Sequence, residues 1–578
     1  MPYKIHIADR KYTEYSVIDA VSLKGGEDIP NINPVEMKLF NHDIFDYNSD
    51  KNRVTIVHST TRSMPNMPGV LVLEGNKRYG KYKNKFLYKC IPDDKRLPVF
   101  MVPYQIKYGF NKAISNKYVV FTFKHWEQKH PWCNIKQTIG DVDILPNFYE
   151  YQLYCKSLYA SIQDFSKAAM KKLKLKTEEE YIHQIKNTFA VEDRCHLDVV
   201  TIDPLTSKDF DDAFSIQDIN DDLFCLSIYI SNVSFWMDIL GLWSSFSQRI
   251  ATIYLPDRKR PMLPTILSDA LCSLQENRYR FAFTMDVSVK KTTGEITDVS
   301  YKNCCIKVRK NLRYDTDEMS NDELFKKAMV YVRKMNKNKK YVESIRDCHD
   351  LIAYLMVLMN YNCAQYLNSK KKGIFRSAKL NKTFVSPEHM PEEVQKFLKM
   401  WNSFGGQYLK YENIDSHDIL DFDAYVHITS PIRRLVDLLN MVIIQDDMGL
   451  MEMSGDIKIF CDRWTNDTAF EYINTTMRSI RKVQNDCNLL NICTNDVELL
   501  TKTYDGFIFD KIQRNDELFQ YMVYLPHFRM VNRFTSRHNE ENLSKQKFKL
   551  YIFMDENQLK QKIRVEMQPN HLIQNVAN

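Results

Sequence analysis

The sequence predicts a multidomain α+β protein in which a large central domain is flanked by β-barrel modules. In the N-terminal quarter, short alternating runs are broken by turn residues at GVLVLEG (69–75), PVFMVPYQI (98–106) and KYVVFTFKHW (117–126). Strands at this spacing are typical of small antiparallel barrels and not of βαβ units. Residues 191–497 mix helical and strand patterns without a linker, and residues 503–567 return to strand patterns.

Length and composition restrict the function classes. A chain of 578 residues has room for about four domains at about 150 residues each. The 44% hydrophobic content excludes a disordered chain, and the net charge of +7 is too small to indicate nucleic-acid binding alone. The thirteen cysteines form no C-x-x-C pairs, which disfavours a zinc ribbon or a disulfide scaffold. With a charged N-terminus and no long apolar run, we expect a cytoplasmic protein that does not bind membranes.

The first chemical motif is an acidic loop in VVTIDPLTSKDFDDAFSI (199–216). An apolar strand at Val199–Ile202 leads into four carboxylates within ten positions, Asp203, Asp209, Asp211 and Asp212. Carboxylates this close repel one another unless they are solvated or neutralised by cations, and Mg²⁺ takes oxygen ligands of this kind. An arbitrary acidic cluster is more often a solvated turn, but the apolar residues on both sides of this one favour a metal site.

The second motif is YVHITSPIRRLVDLLNMVIIQDDMG (425–449). Ser430 is a good N-cap and Pro431 suits the first helical position, so we expect a helix to begin there. Arg433 and Arg434 would then lie in its first turn, where they would form a positive helix start suited to a phosphate. The alternative is that both arginines pair with surface carboxylates.

The two motifs carry complementary chemistry. A metal held by carboxylates can activate water and hold a leaving oxygen, while an arginine neutralises the charge that develops on phosphate in the transition state. The sequence therefore favours metal-assisted hydrolysis of a phosphodiester.

Both motifs resemble the signatures of the ribonuclease II / ribonuclease R family, whose catalytic domain is called RNB. TIDPLTSKDFDDA and YVHITSPIRRLVDL carry the likeness. Three segments between them match in family order: RIATIYLPDRKRPMLPTILSDALCSL (249–274), VRKNLRYDTDEM (308–319) and LIAYLMVLMNYNCAQYL (351–367). Upstream, KFLYKCIPDDKRLPVFMVP and FKHWEQKHPWCNIKQTIGDVDIL are similar to the family's second cold-shock barrel, and LFNHDIF to a shortened first one. The sequence is identified as a divergent member.

The resemblance implies five regions and an activity. The regions are a shortened cold-shock-like OB barrel (1–60), a second cold-shock-like barrel (61–147), a helical linker (148–190), the RNB catalytic domain (191–497) and a C-terminal RNA-binding OB fold (498–578). The implied activity is processive hydrolysis of single-stranded RNA from its 3′ end to nucleoside 5′-monophosphates. The cofactor would be one or two Mg²⁺ ions, with Mn²⁺ as a substitute, and the chain would act as a monomer. The sequence names no protein partner.

By motif position, the family's roles fall on eight residues. The metal ligands would be Asp203, Asp209, Asp211 and Asp212, of which Asp211 and Asp212 are also catalytic. Arg433 would contact the scissile phosphate as a third catalytic residue. RNA would also contact Arg434, Tyr254 in TIYLP, which matches a tyrosine that packs on terminal nucleotides, and Tyr314 in NLRYD, which matches a stacking aromatic. Without the family context, either tyrosine would be interpreted as core packing.

Several positions depart from the family pattern. Gln484 stands where a glutamate is usual and Asn232 where an aspartate is usual, and neither amide can carry a negative charge. Usual residues are also replaced at Ala353, Tyr354, Leu435 and Met441. These departures leave open a catalytically impaired RNA-binding regulator on the same scaffold and, more weakly, an exonuclease directed at DNA. The complete set of aspartates favours an active enzyme.

Overall fold

The computed structural model describes residues 2–22, 32–106, 114–380, 390–401, 406–514 and 516–568. The chain divides into two compact units. Unit 1 consists of Met1–Tyr159, Leu255–Asp257 and Arg481–Asn578, and unit 2 of Ala160–Tyr254 and Arg258–Ile480. The multidomain α+β class is confirmed by the helices and sheets below. The five domain boundaries stay predictions, and their outermost residues, 1 and 569–578, lie outside the described ranges.

The N-terminal part of unit 1 contains two sheets. The first, in the order β2-β1-β3-β4, is formed by β1 (Pro2–Ile7), β2 (Tyr15–Asp19), β3 (Ile44–Asn48) and β4 (Arg53–His58). After the short helix α1 (Thr60–Ser63), the second is formed by β5 (Met67–Val72), β6 (Lys81–Tyr82), β7 (Lys85–Pro92), β8 (Phe100–Tyr104), β9 (Lys117–His125) and β10 (Trp132–Asp141). Its order is β5-β9-β10-β8-β7-β6, and β5 also pairs with β7, so five strands close into a barrel. The three strands expected in this region coincide with β5, β8 and β9.

Three helices follow in sequence: α2 (Leu145–Cys155), α3 (Gln163–Leu173) and α4 (Glu178–Thr188). Within the expected helical linker (148–190), the stretch KKLKLKTEEEYIHQIKNTF contains the end of α3 and all of α4. A break separates the two helices because Thr177 caps α4. Its hydroxyl accepts a hydrogen bond from the Glu180 N–H, while the Glu180 carboxylate accepts one from the Thr177 N–H.

A seven-stranded sheet in the order β11-β18-β17-β14-β13-β12-β19 forms the centre of unit 2. The strands of this unit are β11 (Glu192–Asp193), β12 (Val200–Asp203), β13 (Asp212–Asp218), β14 (Leu223–Ser231), β15 (Ile253–Tyr254), β16 (Lys259–Arg260), β17 (Tyr279–Lys290), β18 (Ile296–Lys307), β19 (Lys310–Arg313), β20 (Ile374–Ser377) and β21 (Gln407–Lys410). The pairs β15–β16 and β20–β21 are separate two-stranded sheets.

The described helices after α4 are α5 (Val233–Ile239), α6 (Asp317–Asn321), α7 (Glu323–Asn338), α8 (Cys348–Ser369), α9 (Glu392–Trp401), α10 (Leu435–Asp447), α11 (Gly455–Trp464) and α12 (Asp467–Asn495). Helix α8 packs on the central sheet. Strand residues such as Phe283 and Met285 share one buried apolar cluster with Leu351 and Leu355 of α8. The segment 351–367, which resembles the family's central helix, lies within α8, and this helix packs on the strands because its apolar side faces them.

The expected start of α10 is wrong. Arg434 is the N-cap residue and the helix begins at Leu435, whereas Ser430 begins a turn closed by the N–H groups of Arg433 and Arg434. The reason is tertiary: Arg434 forms an antiparallel bridge with Ala251, and the Leu435 N–H donates to the Ile250 carbonyl at 2.9 Å. This pairing holds Arg434 in an extended conformation, so helical geometry starts only at Leu435 and not at the expected Pro431.

The C-terminal part of unit 1 is a five-stranded sheet in the order β24-β23-β22-β25-β26. Its strands are β22 (Tyr504–Gln513), β23 (Phe519–Leu525), β24 (Met530–Ser536), β25 (Lys545–Asp555) and β26 (Lys560–Met567), as the strand pattern of residues 503–567 predicts. The buried Lys560 ammonium lies 2.6 Å from Asp93, which joins this sheet to the N-terminal barrel within unit 1. Among the described helices, none has the length and apolar character needed to cross a membrane.

Candidate active site

The acidic loop joins two neighbouring strands of the central sheet. Asp203 ends β12 and Asp212 begins β13, so the strand pairing brings the two ends of the loop together. Phe210 is buried and anchors the loop: its N–H donates to Ser273 Oγ, and its carbonyl accepts from the Leu274 N–H, each at 3.0 Å. The loop therefore presents its aspartates from a fixed backbone.

Asp211 and Arg433 form the centre of the site. One oxygen of Asp211 accepts the Ile432 N–H at 2.9 Å, and the other accepts Arg433 Nε at 3.0 Å. The Asp211 side chain is 4% exposed while that of Arg433 is 41% exposed, so part of the guanidinium remains open. Burial raises the pKa of Asp211 to about 7, even though Arg433 opposes this rise. The expected phosphate-binding arginine thus lies beside an expected metal ligand.

Asp209 is paired with a lysine that sequence reasoning missed. Lys259 on β16 donates to Asp209 Oδ1 and to Asp269 Oδ1, at 2.9 Å each. The Tyr254 hydroxyl donates to the other oxygen of Asp209 at 3.3 Å. A possible signal was the basic run RKR (258–260) after TIYLP, but nothing local showed that the β15–β16 hairpin turns it toward the acidic loop.

The remaining two aspartates, Asp203 and Asp212, are partly buried in surroundings that disfavour their charged form. Burial raises the pKa of Asp203 to about 6, and burial with the neighbouring charges of Asp203 and Asp211 raises the pKa of Asp212 well above its usual value. Asp203 Oδ2 is buried without a hydrogen-bond partner among the described residues. An unpaired buried carboxylate oxygen is costly, and a bound cation would offset that cost.

These four residues fit a hard divalent cation in donor type, since all are carboxylates and one oxygen is unpaired. Their oxygen atoms, however, are not close enough together to form a complete metal site. Within the described part of the chain, no three of them bring one oxygen each within 4.8 Å of one another, and Asp209 and Asp211 pair with Lys259 and Arg433. Binding of a metal would therefore compete with these two internal cations.

The other expected RNA contacts are in different environments. Tyr254 is 40% exposed beside Asp209. Tyr314 donates its N–H to the Asp203 carbonyl at 3.0 Å, and its ring stacks on His349 with centroids 4.1 Å apart. Arg434 donates to the fully buried Asp437 at 2.8 Å, which is a structural pairing. Its role in RNA binding stays a prediction.

The departures from the family pattern mostly lie in the core. Asn232 is buried and donates to Asn303 and Gln445, each at 3.0 Å. Tyr354 and Met441 are fully buried in the apolar cluster beneath the central sheet. Asn232 is accommodated by amide hydrogen bonds and Met441 by packing, whereas the Tyr354 hydroxyl is buried without a hydrogen-bond partner among the described residues.

Comparisons with known proteins agree with this fold. Residues 191–346 match the sequence profile of the RNB domain. Ribonuclease R of Ureaplasma parvum serovar 3 is 35% identical over 143 residues, which are 25% of this chain and 18% of that protein. The structure of Mycoplasma genitalium RNase R with ribose-methylated single-stranded RNA has a TM-score of 0.69 at 16% identity, covering 98% of this chain and 100% of that chain. Yeast Ssd1, described as a pseudonuclease, has a TM-score of 0.58 at 12% identity, covering 89% and 70%.

The fold and the site define an α+β protein with an acidic catalytic-type centre and OB-type barrels. Residues 191–346 match the RNB domain, and part of the chain is similar to ribonuclease R, which confirms the resemblance seen in its motifs. The likeness to the two solved structures shows the fold alone. The matched region spans 18% of the Ureaplasma enzyme, so the activity of that whole protein does not pass directly to this chain.

Proposed function

We propose that this chain is a metal-dependent exoribonuclease that hydrolyses single-stranded RNA processively from the 3′ end. The observation that carries the proposal is the half-open guanidinium of Arg433, paired at 3.0 Å with Asp211 inside a set of four aspartates. The aspartates supply ligands for a hydrolytic metal, and the arginine supplies a phosphate contact. The match to an RNB domain and to ribonuclease R supports RNA as the substrate.

The metal site would be formed by Asp203, Asp209, Asp211 and Asp212. One or two Mg²⁺ ions, or Mn²⁺ in their place, would supply an activated water and stabilise the leaving oxygen. In this hydrolysis water would form a bond to the phosphorus, and the bond from phosphorus to the 3′ oxygen of the preceding nucleotide would break. The shortened RNA would keep that oxygen as a 3′ hydroxyl, and a nucleoside 5′-monophosphate would leave. Asp203 Oδ2 is the strongest support, because a cation would satisfy this buried unpaired oxygen.

The chain's own residues would position the RNA. Arg433 donates Nε to Asp211 and Nη2 to Ser430 Oγ at 2.9 Å, and its side chain is still 41% exposed. Its remaining N–H groups can contact phosphate oxygens, which a planar guanidinium binds two at a time. Tyr254 presents an exposed ring next to Asp209, suited to stacking on the terminal base. Tyr314 shares a stack with His349 and is positioned by Asp203, so it can extend that stack to a further base.

The N-terminal barrel has the chemistry to capture single strands. Tyr82 and Phe86, on β6 and β7, are 38% and 37% exposed. Lysines 83 and 124 lie 5.7 and 5.2 Å from the Tyr82 ring, and Arg78 lies 4.0 Å from the Phe86 ring. Exposed aromatic rings beside cations bind stacked bases and backbone phosphates with little sequence preference.

The test uses one RNA labelled separately at its 5′ and 3′ ends, with Mg²⁺ or with EDTA. A 3′→5′ exonuclease converts the 3′ label directly into mononucleotide, while the 5′ label passes through few intermediates to a short end product. EDTA should stop the reaction and added Mg²⁺ should restore it. Internal cleavage, or no cleavage in Mg²⁺ and Mn²⁺, would contradict the proposal.

A second function, an RNA-binding regulator with impaired catalysis, is favoured by one observation. Lys259 and Arg433 already neutralise Asp209 and Asp211, and a protein on this fold is described as a pseudonuclease. Salt-sensitive RNA binding without cleavage would support it, and DNA of the same sequence tests the weaker DNA alternative. The monomeric state and cytoplasmic location stay predictions, for which sedimentation and cell fractionation are the measurements.

A further inference from the structure

A second group of metal-binding side chains lies outside the acidic loop. Asp315 follows β19, and Cys348 and His349 begin α8. Cys348 Sγ is 3.5 Å from Asp315 Oδ1, and His349 Nε2 is 3.4 Å from Asp315 Oδ2. One donor atom from each of the three residues lies within 4.8 Å of the others.

This spacing matches a tetrahedral metal site. Zinc bonds of about 2.0–2.3 Å to nitrogen, oxygen and sulfur place neighbouring ligand atoms about 3.3–3.8 Å apart. The two measured separations, 3.4 and 3.5 Å, are of this size but end on different oxygens of Asp315, so an ion would bind with the exposed carboxylate turned to present one oxygen to both other ligands. We propose that Asp315, Cys348 and His349 bind a divalent transition metal of the Zn²⁺ type, with water in the fourth position.

The donor types decide which metal is bound. A thiolate and an imidazole select Zn²⁺ and related ions over Mg²⁺, which prefers oxygen. Thiolate and carboxylate together balance the charge of a divalent ion. The positive end of a helix disfavours a cation, but Asp347 at the N-cap of α8 and Asp350 in its first turn counteract this effect.

The ligands are partly oriented and the site is open to solvent. Cys348 is 2% exposed and fixed by the first turn of α8, and the ring of His349 is stacked on Tyr314. The side chains of His349 and Asp315 are 56% and 72% exposed, so an ion can enter without unfolding of the core. A bound metal would link α8 to Asp315. The preceding residue, Tyr314, donates its N–H to the Asp203 carbonyl.

The test is a titration of the full chain with Co²⁺ in excess Mg²⁺, read by absorption. We expect one Co²⁺ per chain and a thiolate-to-cobalt charge-transfer band in the near ultraviolet. The band should disappear in Cys348→Ser, and Co²⁺ affinity should fall at least about tenfold in His349→Ala. Cys195→Ser is the matched control, because Cys195 and Cys305 form a thiol pair with Sγ atoms 3.7 Å apart elsewhere in unit 2.

Three results would overturn the proposal: no charge-transfer band, a band that survives in Cys348→Ser, or a band lost in Cys195→Ser. Because Cys348 is buried and its replacement could impair folding, the exposed His349 gives a second measurement. Zn²⁺ should raise the unfolding temperature of the parent and not that of His349→Ala; an equal rise in both proteins would also refute the site. None of these readouts uses RNA cleavage, so they do not depend on the proposed nuclease function.

Discussion

Replacing Lys259 with methionine tests whether the acidic loop is a metal site restrained by an internal cation. Lys259 lies 2.9 Å from Asp209 Oδ1 and 2.9 Å from Asp269 Oδ1, and its side chain is 22% exposed. Methionine keeps most of the aliphatic length and removes the charge. We expect Lys259→Met to bind Mg²⁺ more tightly than the parent, because the ion no longer competes with an ammonium at Asp209.

The size of the effect follows from Coulomb's law. Mg²⁺ bonds to oxygen are about 2.1 Å long, so an ion on Asp209 would lie within about 5 Å of an ammonium that is 2.9 Å from the same carboxylate oxygen. For each unit of charge on the ion, the repulsion at that distance is about 0.8 kcal/mol at the dielectric constant of water and about 3.3 kcal/mol at an effective value of 20. One unit of charge alone therefore gives about 4- to 300-fold tighter binding.

Isothermal titration of Mg²⁺ into RNA-free protein measures this affinity directly. Lys259→Arg, which keeps the positive charge, should resemble the parent. Lys327→Met is a matched control, because Lys327 pairs with Asp218 at 2.7 Å elsewhere in unit 2, and it should leave Mg²⁺ affinity unchanged. Equal or weaker Mg²⁺ binding by Lys259→Met would show that Asp209 is not a metal ligand, and the same gain in Lys327→Met would make the effect a general one of net charge.

Four further predictions follow from the described contacts. Asp211→Asn should lower the rate of RNA cleavage by on the order of 100-fold or more while RNA affinity changes little, because a charged ligand acts mainly in the transition state; cleavage at the parental rate would exclude Asp211. Arg433→Lys should slow single-turnover cleavage more than Arg434→Lys, since a point charge cannot replace a planar fork on phosphate, and equal rates for both variants would remove Arg433 from the reaction. Tyr254→Ala should leave a longer end product of RNA digestion on a high-resolution gel, whereas Tyr254→Phe should not. The reason is that stacking contributes about 1–3 kcal/mol per base and matters most when only a short RNA fragment is bound. An end product of unchanged length would show that the Tyr254 ring is a packing residue. Burial lowers the pKa of His417 to about 4, so below pH 6.5 the unfolded chain binds a proton that the folded chain does not. This residue should therefore lower the free energy of unfolding by about 2 kcal/mol between pH 7.5 and pH 5. Urea unfolding of His417→Phe should lack this part of the loss, and a pH dependence identical to that of the parent would refute the assignment.

The sequence by itself determined the elements and the chemical character of the site. Alternating apolar residues predicted β5, β8 and β9, because period and side-chain type decide which face can be buried, whereas α8 was expected only from the resemblance to the family. The residues of the acidic loop likewise showed a demand for cations, since four carboxylates within ten positions repel one another wherever they lie.

Only the tertiary structure decided which cations answer that demand. Arg433 is 222 positions from Asp211 and Lys259 is 50 positions from Asp209, and no local pattern encodes either pairing. The same holds for the start of α10, where a favourable cap at Ser430 is overridden by the bridge between Arg434 and Ala251. Capping contributes only about 1 kcal/mol, so backbone contacts with a distant segment can displace a helix start. Long-range packing likewise decides which charged side chains become neighbours, which the sequence alone does not show.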